Sequence, residues 1–321
     1  MNVRRLIPTT ALAGAVTLGL VTLSACSGTS DAAGKGSGGK LDVVASFYPM
    51  QYLAEQIGGG HVAVDTLTKP GVEPHDLELK PKQIGELGEA DVIVYLKGIQ
   101  PAVDEAIAQA GVANTVDAAA LTELEDHGTS SGHDHAAEEA GHDHASEAGA
   151  DPHIWLDPVK YAEVAKGVGA AFEKADPDHA ADYRKNTDAL LKKLGALNTE
   201  FANGLKNTTT RTFITTHSAF GYLAERYGLE QEGITGIDPE SEPSPARVKE
   251  LQDIARKDKV STVFFETLAS DKTAKTLAND TGLQTDVLDP LEGITDTSKG
   301  ADYIQVMQSN LAALQKALGA K

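Results

Sequence analysis

Short apolar runs rich in β-branched and aromatic residues alternate along most of the chain with longer segments of helical periodicity. Six runs read as strands: 42–47, 62–68, 91–96, 211–216, 260–265 and 284–288, most of them bounded by Gly, Pro or Asp. Helical patterns fall at 49–57, 81–88, 101–110, 245–257, 271–281 and 301–318. Pro81, Pro101 and Pro245 stand at helix starts, where a missing N–H costs nothing. Strands alternating with helices predict an α/β fold, with parallel-rich sheets flanked by helices.

The centre of the chain breaks the alternation. Asp176-Pro177 offers an N-cap followed by a first-turn proline. Beyond it, Tyr183, Leu190, Leu191, Leu194, Leu197, Phe201 and Leu205 recur at helical spacing with no strand signal. The pattern predicts one linking helix over 176–205, ~40 Å long at about 1.5 Å per residue, or two shorter helices broken near Gly195. One long helix divides the folded body into two α/β lobes, 41–175 and 206–321, joined by a stiff connector.

Two segments, one before the first lobe and one within it, are of another kind. Arg4 and Arg5 precede an uncharged, mostly apolar stretch at 6–23, then Leu23-Ser24-Ala25-Cys26. This layout predicts an export signal over 1–25. The stretch approaches the length of a membrane span, but Pro8, the small residues and the terminal cysteine favour a cleaved signal. L-S-A-C resembles a bacterial lipobox, which implies that Cys26 is lipidated and becomes the new N-terminus. Residues 26–40 are Gly/Ser-rich and read as a flexible tether. Residues 127–150 hold five histidines and almost no large apolar side chain. Such a segment cannot bury enough surface to offset its ordering entropy, so a disordered loop is expected there.

Charge and cysteine content narrow the function. In 321 residues, 28 basic against 47 acidic side chains give a formal charge of −19. Phosphates would be repelled, so no nucleic-acid partner is expected, whereas cations are attracted. Residues 98–159 contain thirteen Asp or Glu, no Lys or Arg, and six of the ten histidines. The single cysteine excludes an internal disulfide and a Cys-based zinc site.

Ligands in open α/β sheets gather beyond the carboxyl ends of strands. His75 lies in the loop after 62–68, His217 directly follows 211–216, and Glu266 closes 260–265. Asp289 and Glu292 follow 284–288, and His153 sits in the proline-bounded loop D-P-H-I-W-L-D-P. His61 and His179 follow no strand end. Imidazole and carboxylate suit divalent transition metals, and three His with one carboxylate suit tetrahedral Zn2+. Gaps of 78, 64 and 75 residues match no local metal motif, so any convergence must come from the fold. H-E-x-x-H, G-x-S-x-G and P-loop signatures are missing, which weakens a zinc-dependent hydrolase as the alternative.

The stretches V-V-A-S-F-Y-P (43–49), G-V-E-P-H-D-L-E (71–78), D-P-H-I-W-L-D-P (151–158), T-H-S-A-F-G-Y-L-A (216–224), E-P-S-P (242–245) and V-F-F-E (263–266) run across the folded body. Together they resemble the metal-binding lipoproteins of ABC-type zinc and manganese uptake systems, the ZnuA/AdcA-like solute-binding proteins. The resemblance implies two α/β lobes bridged by a long helix, with the cation in the cleft between them. It carries His75 and His153 over as ligands from the first lobe and His217 from the second. The fourth ligand is then Glu292 of P-L-E, with Asp289 or water as alternatives and Glu266 in support. Some relatives hold an acidic residue directly before the first histidine; here that position is Pro74. A third imidazole favours Zn2+, with Mn2+ the alternative. The resemblance also implies weak auxiliary zinc binding by His127, His133, His135, His142 and His144. It further implies a non-enzymatic, monomeric protein, lipid-anchored outside the bacterial cell membrane and serving an ABC permease.

Overall fold

A computed structural model describes residues 39–112, 114–127 and 150–321. The expected signal peptide, Cys26, most of the tether, and His133, His135, His142 and His144 lie outside the described residues. Two four-stranded sheets form, each followed or flanked by helices. The first contains β1 (Leu41–Ala45), β2 (Val62–Thr66), β3 (Val92–Tyr95) and β4 (Thr115–Asp117), with α1 (Tyr48–Gly58), α2 (Pro81–Glu89) and α3 (Pro101–Ala110) between them. The second contains β5 (Thr212–Thr215), β6 (Glu230–Gly233), β7 (Thr262–Phe265) and β8 (Gln284–Val287). It is accompanied by α6 (Gly221–Tyr227), α7 (Pro245–Lys257), α8 (Lys272–Thr281) and α9 (Tyr303–Leu318). Between the sheets run α4 (Pro158–Ala175) and α5 (Ala180–Gly204).

Every strand pair is parallel, in the orders β2-β1-β3-β4 and β6-β5-β7-β8. The order reverses beside β1 in one sheet and β5 in the other, and in such sheets the crevice beyond that point is where ligands bind. Residues right after β5 and β7, including His217 and Glu266, therefore start in a favourable place.

Local chemistry accounts for most boundaries. Prolines open α2, α3, α4 and α7, and Ser244, Asp157 and Asp302 side chains accept backbone N–H bonds at the starts of α7, α4 and α9. The central helix starts later than the sequence pattern predicts. Pro177–His179 forms a 3-10 turn, and α5 then runs unbroken for 25 residues through Gly195. Asp176 does not cap it; the carboxylate instead accepts the Tyr183 hydroxyl at 3.0 Å and the His179 ring at 2.5 Å. Tyr183, Leu190, Leu194, Leu197 and Phe201 of α5 are buried in one apolar cluster that also takes in Phe47, Trp155, Phe213 and Leu314. The two halves are thus packed on a shared core around the connector. Where α4 crosses α5, a Cβ on Gly169 would stand 2.4 Å from Thr187 Oγ1, so this close approach requires glycine. Among the described residues, no helix is long and apolar enough to cross a membrane.

Candidate metal centre

Four loops deliver four side chains to one point. His75 comes from the segment after β2, His153 from the segment before α4, His217 from the end of β5 and Glu292 from the segment after β8. The Nε2 atoms of His75, His153 and His217 lie 3.2, 3.2 and 3.4 Å from Glu292 Oε1. His153 Nε2 and His217 Nε2 are 3.4 Å apart. One donor atom from each of the four residues lies within 4.8 Å of the others. Glu292 Oε2 is buried with no hydrogen-bond partner among the described residues. Three imidazole nitrogens and a carboxylate make a donor set of the size and type that tetrahedral Zn2+ takes. The His75 side chain is 11% exposed, against 0% for His153 and Glu292 and 1% for His217, so solvent reaches the cluster past His75.

Each buried histidine is oriented by a carboxylate on its other nitrogen. Asp151 Oδ1 meets His153 Nδ1 at 2.7 Å and also accepts the His153 backbone N–H at 2.9 Å. Glu266 Oε1 meets His217 Nδ1 at 2.5 Å and accepts the Thr216 hydroxyl. A carboxylate on Nδ1 fixes the ring and leaves Nε2 directed at the cluster. The His217 backbone is held as well, its carbonyl accepting from Thr215 Oγ1 at 2.7 Å and Gln231 Nε2 at 3.0 Å.

The carboxylates after β8 divide their work. Asp289 is not one of the four converging residues. Its Oδ1 accepts the Leu291 N–H at 2.8 Å, and its Oδ2 accepts the Thr267 hydroxyl at 3.2 Å. Leu291 has φ 59, a left-handed conformation that costs a non-glycine residue about 1–2 kcal/mol. The bond from Asp289 and the full burial of Leu291 hold that turn, which swings the next residue, Glu292, into the cluster. Burial raises the Asp289 pKa to about 6.

The family model for ZnuA, described as zinc-uptake complex component A, periplasmic, matches residues 43–317. The chain belongs to this family. It is 38% identical over 314 residues to the high-affinity zinc uptake system protein ZnuA of Bacillus subtilis, covering 94% of this chain and 97% of that one. It is 35% identical to the zinc-binding lipoprotein AdcA of Streptococcus pneumoniae over 288 residues, or 88% of this chain. The chain spans only about half of that relative, 56% of its length. Among solved structures, the Zn(II)-bound AdcA of Streptococcus pneumoniae superposes with a TM-score of 0.72 at 33% identity, covering 87% of this chain and 58% of that one.

In this ZnuA-family chain the buried charges are mutually dependent. Burial disfavours the imidazolium of His217, but Glu266 and Glu292 outweigh it and hold the pKa well above the ordinary value. Burial likewise opposes the charge on His153, and Asp151 and Glu292 raise its pKa. Burial alone would raise Glu292; the charge of His217 and bonds from the three histidines pull it well below the ordinary carboxylate range.

Sequence reasoning passed over two residues here. Glu73 and Asp151 each stand two places before a converging histidine, in E-P-H and D-P-H. Proline has no N–H, so each carboxylate folds onto the next amide; Glu73 Oε1 accepts the His75 N–H at 3.1 Å. Burial and the nearby charge of Glu292 raise the Glu73 pKa to about 8. The repeated acid-Pro-His pattern was the available signal. His61 and His179 are apart from the cluster, stacked on each other at 4.0 Å between ring centroids.

Proposed function

We propose that this protein captures Zn2+ with His75, His153, His217 and Glu292, between lobes 41–175 and 206–321 joined by 176–205, and delivers it to an ABC permease. The observation that carries this reading is the convergence of three Nε2 atoms on one buried carboxylate oxygen. Asp151 and Glu266 orient two of the ligands, and Asp289 shapes the turn that presents Glu292. Four protein donors leave no open position of the kind a catalytic zinc needs, which favours capture over hydrolysis. Nitrogen donors gain more from Zn2+ than from Mn2+, so zinc is the physiological cargo. Export under the signal at 1–25, lipidation at Cys26 and the tether at 26–40 hold the monomeric protein beside its permease outside the membrane.

The test is calorimetry with Zn2+ and Mn2+ on the chain beginning at Cys26, with the loop histidines His133, His135, His142 and His144 changed to alanine. Zn2+ binds tightly and Mn2+ more weakly, and His217→Ala lowers zinc affinity by orders of magnitude. Wild-type affinity in that variant removes the proposed site. Failure of His217→Ala to impair growth under zinc chelation removes the transport role.

A further inference from the structure

Two of the converging histidines follow the same short pattern, acid-Pro-His, and the two copies differ by one methylene in the acid. In D-P-H, Asp151 Oδ1 accepts the His153 N–H at 2.9 Å and meets His153 Nδ1 at 2.7 Å, so one carboxylate holds both backbone and ring. In E-P-H, Glu73 Oε1 accepts the His75 N–H at 3.1 Å, and among the described residues nothing bonds His75 Nδ1. Pro74 and Pro152 have no N–H, which leaves the histidine amide as the next donor the acid can reach. His217 also has both supports, Glu266 on Nδ1 and Thr215 and Gln231 on its carbonyl. His75 is thus the converging histidine whose ring is met only at Nε2, by Glu292 at 3.2 Å.

The surroundings of His75 agree with this. It is the most exposed of the four residues. Its segment is anchored at the root, where Thr68 donates its N–H and hydroxyl to the Ser46 carbonyl at 3.1 and 2.9 Å and Gln100 Nε2 donates to Thr68 Oγ1 at 2.8 Å. Nearer His75 the main-chain bonds are short-range, Val72 N–H to the Lys69 carbonyl and Leu77 N–H to the Pro74 carbonyl. The bond from Glu73 therefore fixes the His75 backbone. Glu73 Oε2 is buried with no hydrogen-bond partner among the described residues. A buried oxygen left unpaired costs stability, so folding alone does not account for a glutamate here.

We propose that Glu73 is a positioning residue that sets how fast Zn2+ is exchanged: it holds His75 by the main chain, leaves the ring unbraced, and so makes His75 the ligand that lets go first. This rests on the reading of the four residues as a zinc site. A carboxylate on the far nitrogen of a ligating imidazole fixes the ring and raises its basicity. His153 and His217 have one, and His75 does not. A cation held by four side chains leaves them one at a time, and departure starts at the least braced ligand nearest solvent. Aspartate at 73 would repeat the D-P-H turn, whose shorter side chain braces the ring as well. Glutamate gives a weaker hold on the ring, which suits a protein that must hand its cargo on.

The experiment loads the chain beginning at Cys26, and its Glu73→Asp, Glu73→Gln and Glu73→Ala variants, with one equivalent of Zn2+. Release into excess chromogenic chelator is then timed at constant pH. Glu73→Asp slows release about tenfold, Glu73→Ala speeds it about tenfold, and Glu73→Gln, which keeps an acceptor for the His75 N–H, stays within about twofold of wild type. A residue that only stabilised the turn would give no variant slower than wild type. Release from Glu73→Asp at or above the wild-type rate, or from Glu73→Ala at the wild-type rate, overturns the proposal. His217→Ala, run alongside, separates the two readings. Zinc held there as long as in wild type removes the four-residue site itself, whereas fast release there with no slowing in Glu73→Asp removes only the role of Glu73. Should Glu73→Ala lose its metal-free melting transition, the Glu73→Asp and Glu73→Gln rates decide.

Discussion

Replacing Glu266 by glutamine separates the orientation of a ligand from ligation itself. Glu266 does not reach the converging Nε2 atoms; its Oε1 takes the His217 Nδ1 and the Thr216 hydroxyl. Glutamine keeps the volume and a carbonyl oxygen able to accept Nδ1–H, and removes only the negative charge. Groups that orient metal-bound histidines typically contribute 10- to 100-fold in affinity, which corresponds to about 1.4–2.7 kcal/mol. The same charge also acts in the opposite direction. Against the cost of burial, Glu266 and Glu292 hold the His217 pKa well above its ordinary value, so a proton competes with the metal for the ring. Glu266→Gln lowers that pKa and relieves the competition. The ratio of wild-type to variant affinity is therefore smallest in acid. It grows as pH rises from about 6.5 towards the raised wild-type pKa, and levels off above it. Competition titration against a chelator of known zinc affinity, from about pH 6 to about pH 8, measures the ratio directly. A ratio that stays flat or falls with rising pH would refute the reasoning.

Other perturbations probe the surroundings of the cluster. The Glu73 pKa rises from 4.5 to about 8 on folding, chiefly through burial and then the charge of Glu292. A carboxyl raised in the folded state costs stability progressively as pH climbs from the unfolded to the folded value. Glu73→Gln should thus raise the melting temperature of the metal-free protein near pH 8 and leave it almost unchanged in acid near pH 5, relative to wild type; an equal shift at both ends would contradict this. Trp155 Nε1 donates to the buried Pro290 carbonyl at 2.7 Å. Trp155→Phe orphans that carbonyl and should cost about 1–3 kcal/mol in denaturant unfolding; a loss well below this range would count against the bond's role. Trp155 is the chain's one tryptophan, and its ring lies 5.1 Å from that of His153. Its fluorescence should therefore change as Zn2+ is titrated in, and no longer do so in His217→Ala.

Much of the fold was legible because it is written in local chemistry. The runs that became β1, β3, β5 and β7 are apolar since both faces of a parallel sheet are covered, and the prolines opening α2, α3 and α7 mark starts that need no partner. β4 and β6 were not legible. Glu230–Gly233 reads E-Q-E-G and carries no apolar pattern, yet it pairs with β5 because parallel ladders are made by the backbone. The residues of α6 were read only as a stretch resembling a family, because seven residues offer too little periodicity. The helix pattern at 176–205 was right in kind, and the 3-10 turn at its start arose from what Asp176 bonds, a choice made by Tyr183 and His179.

By itself, the sequence determined which residue types stand at strand ends and therefore which side chains were candidates. It placed His75, His153, His217, Asp289 and Glu292 in suitable loops, and it marked the acidic, histidine-rich segment before His153. Only the tertiary structure set Asp289 and Glu292 apart. The two lie three positions apart in one loop, and the left-handed turn at Leu291 sends one to bond the backbone and the other into the cluster. Likewise, nothing local indicates that one Asp151 carboxylate serves both His127 and His153. Periodicity and capping act over a few residues, whereas His75 and Glu292 meet across 217 positions, a separation that only the packing of the two halves around α5 closes.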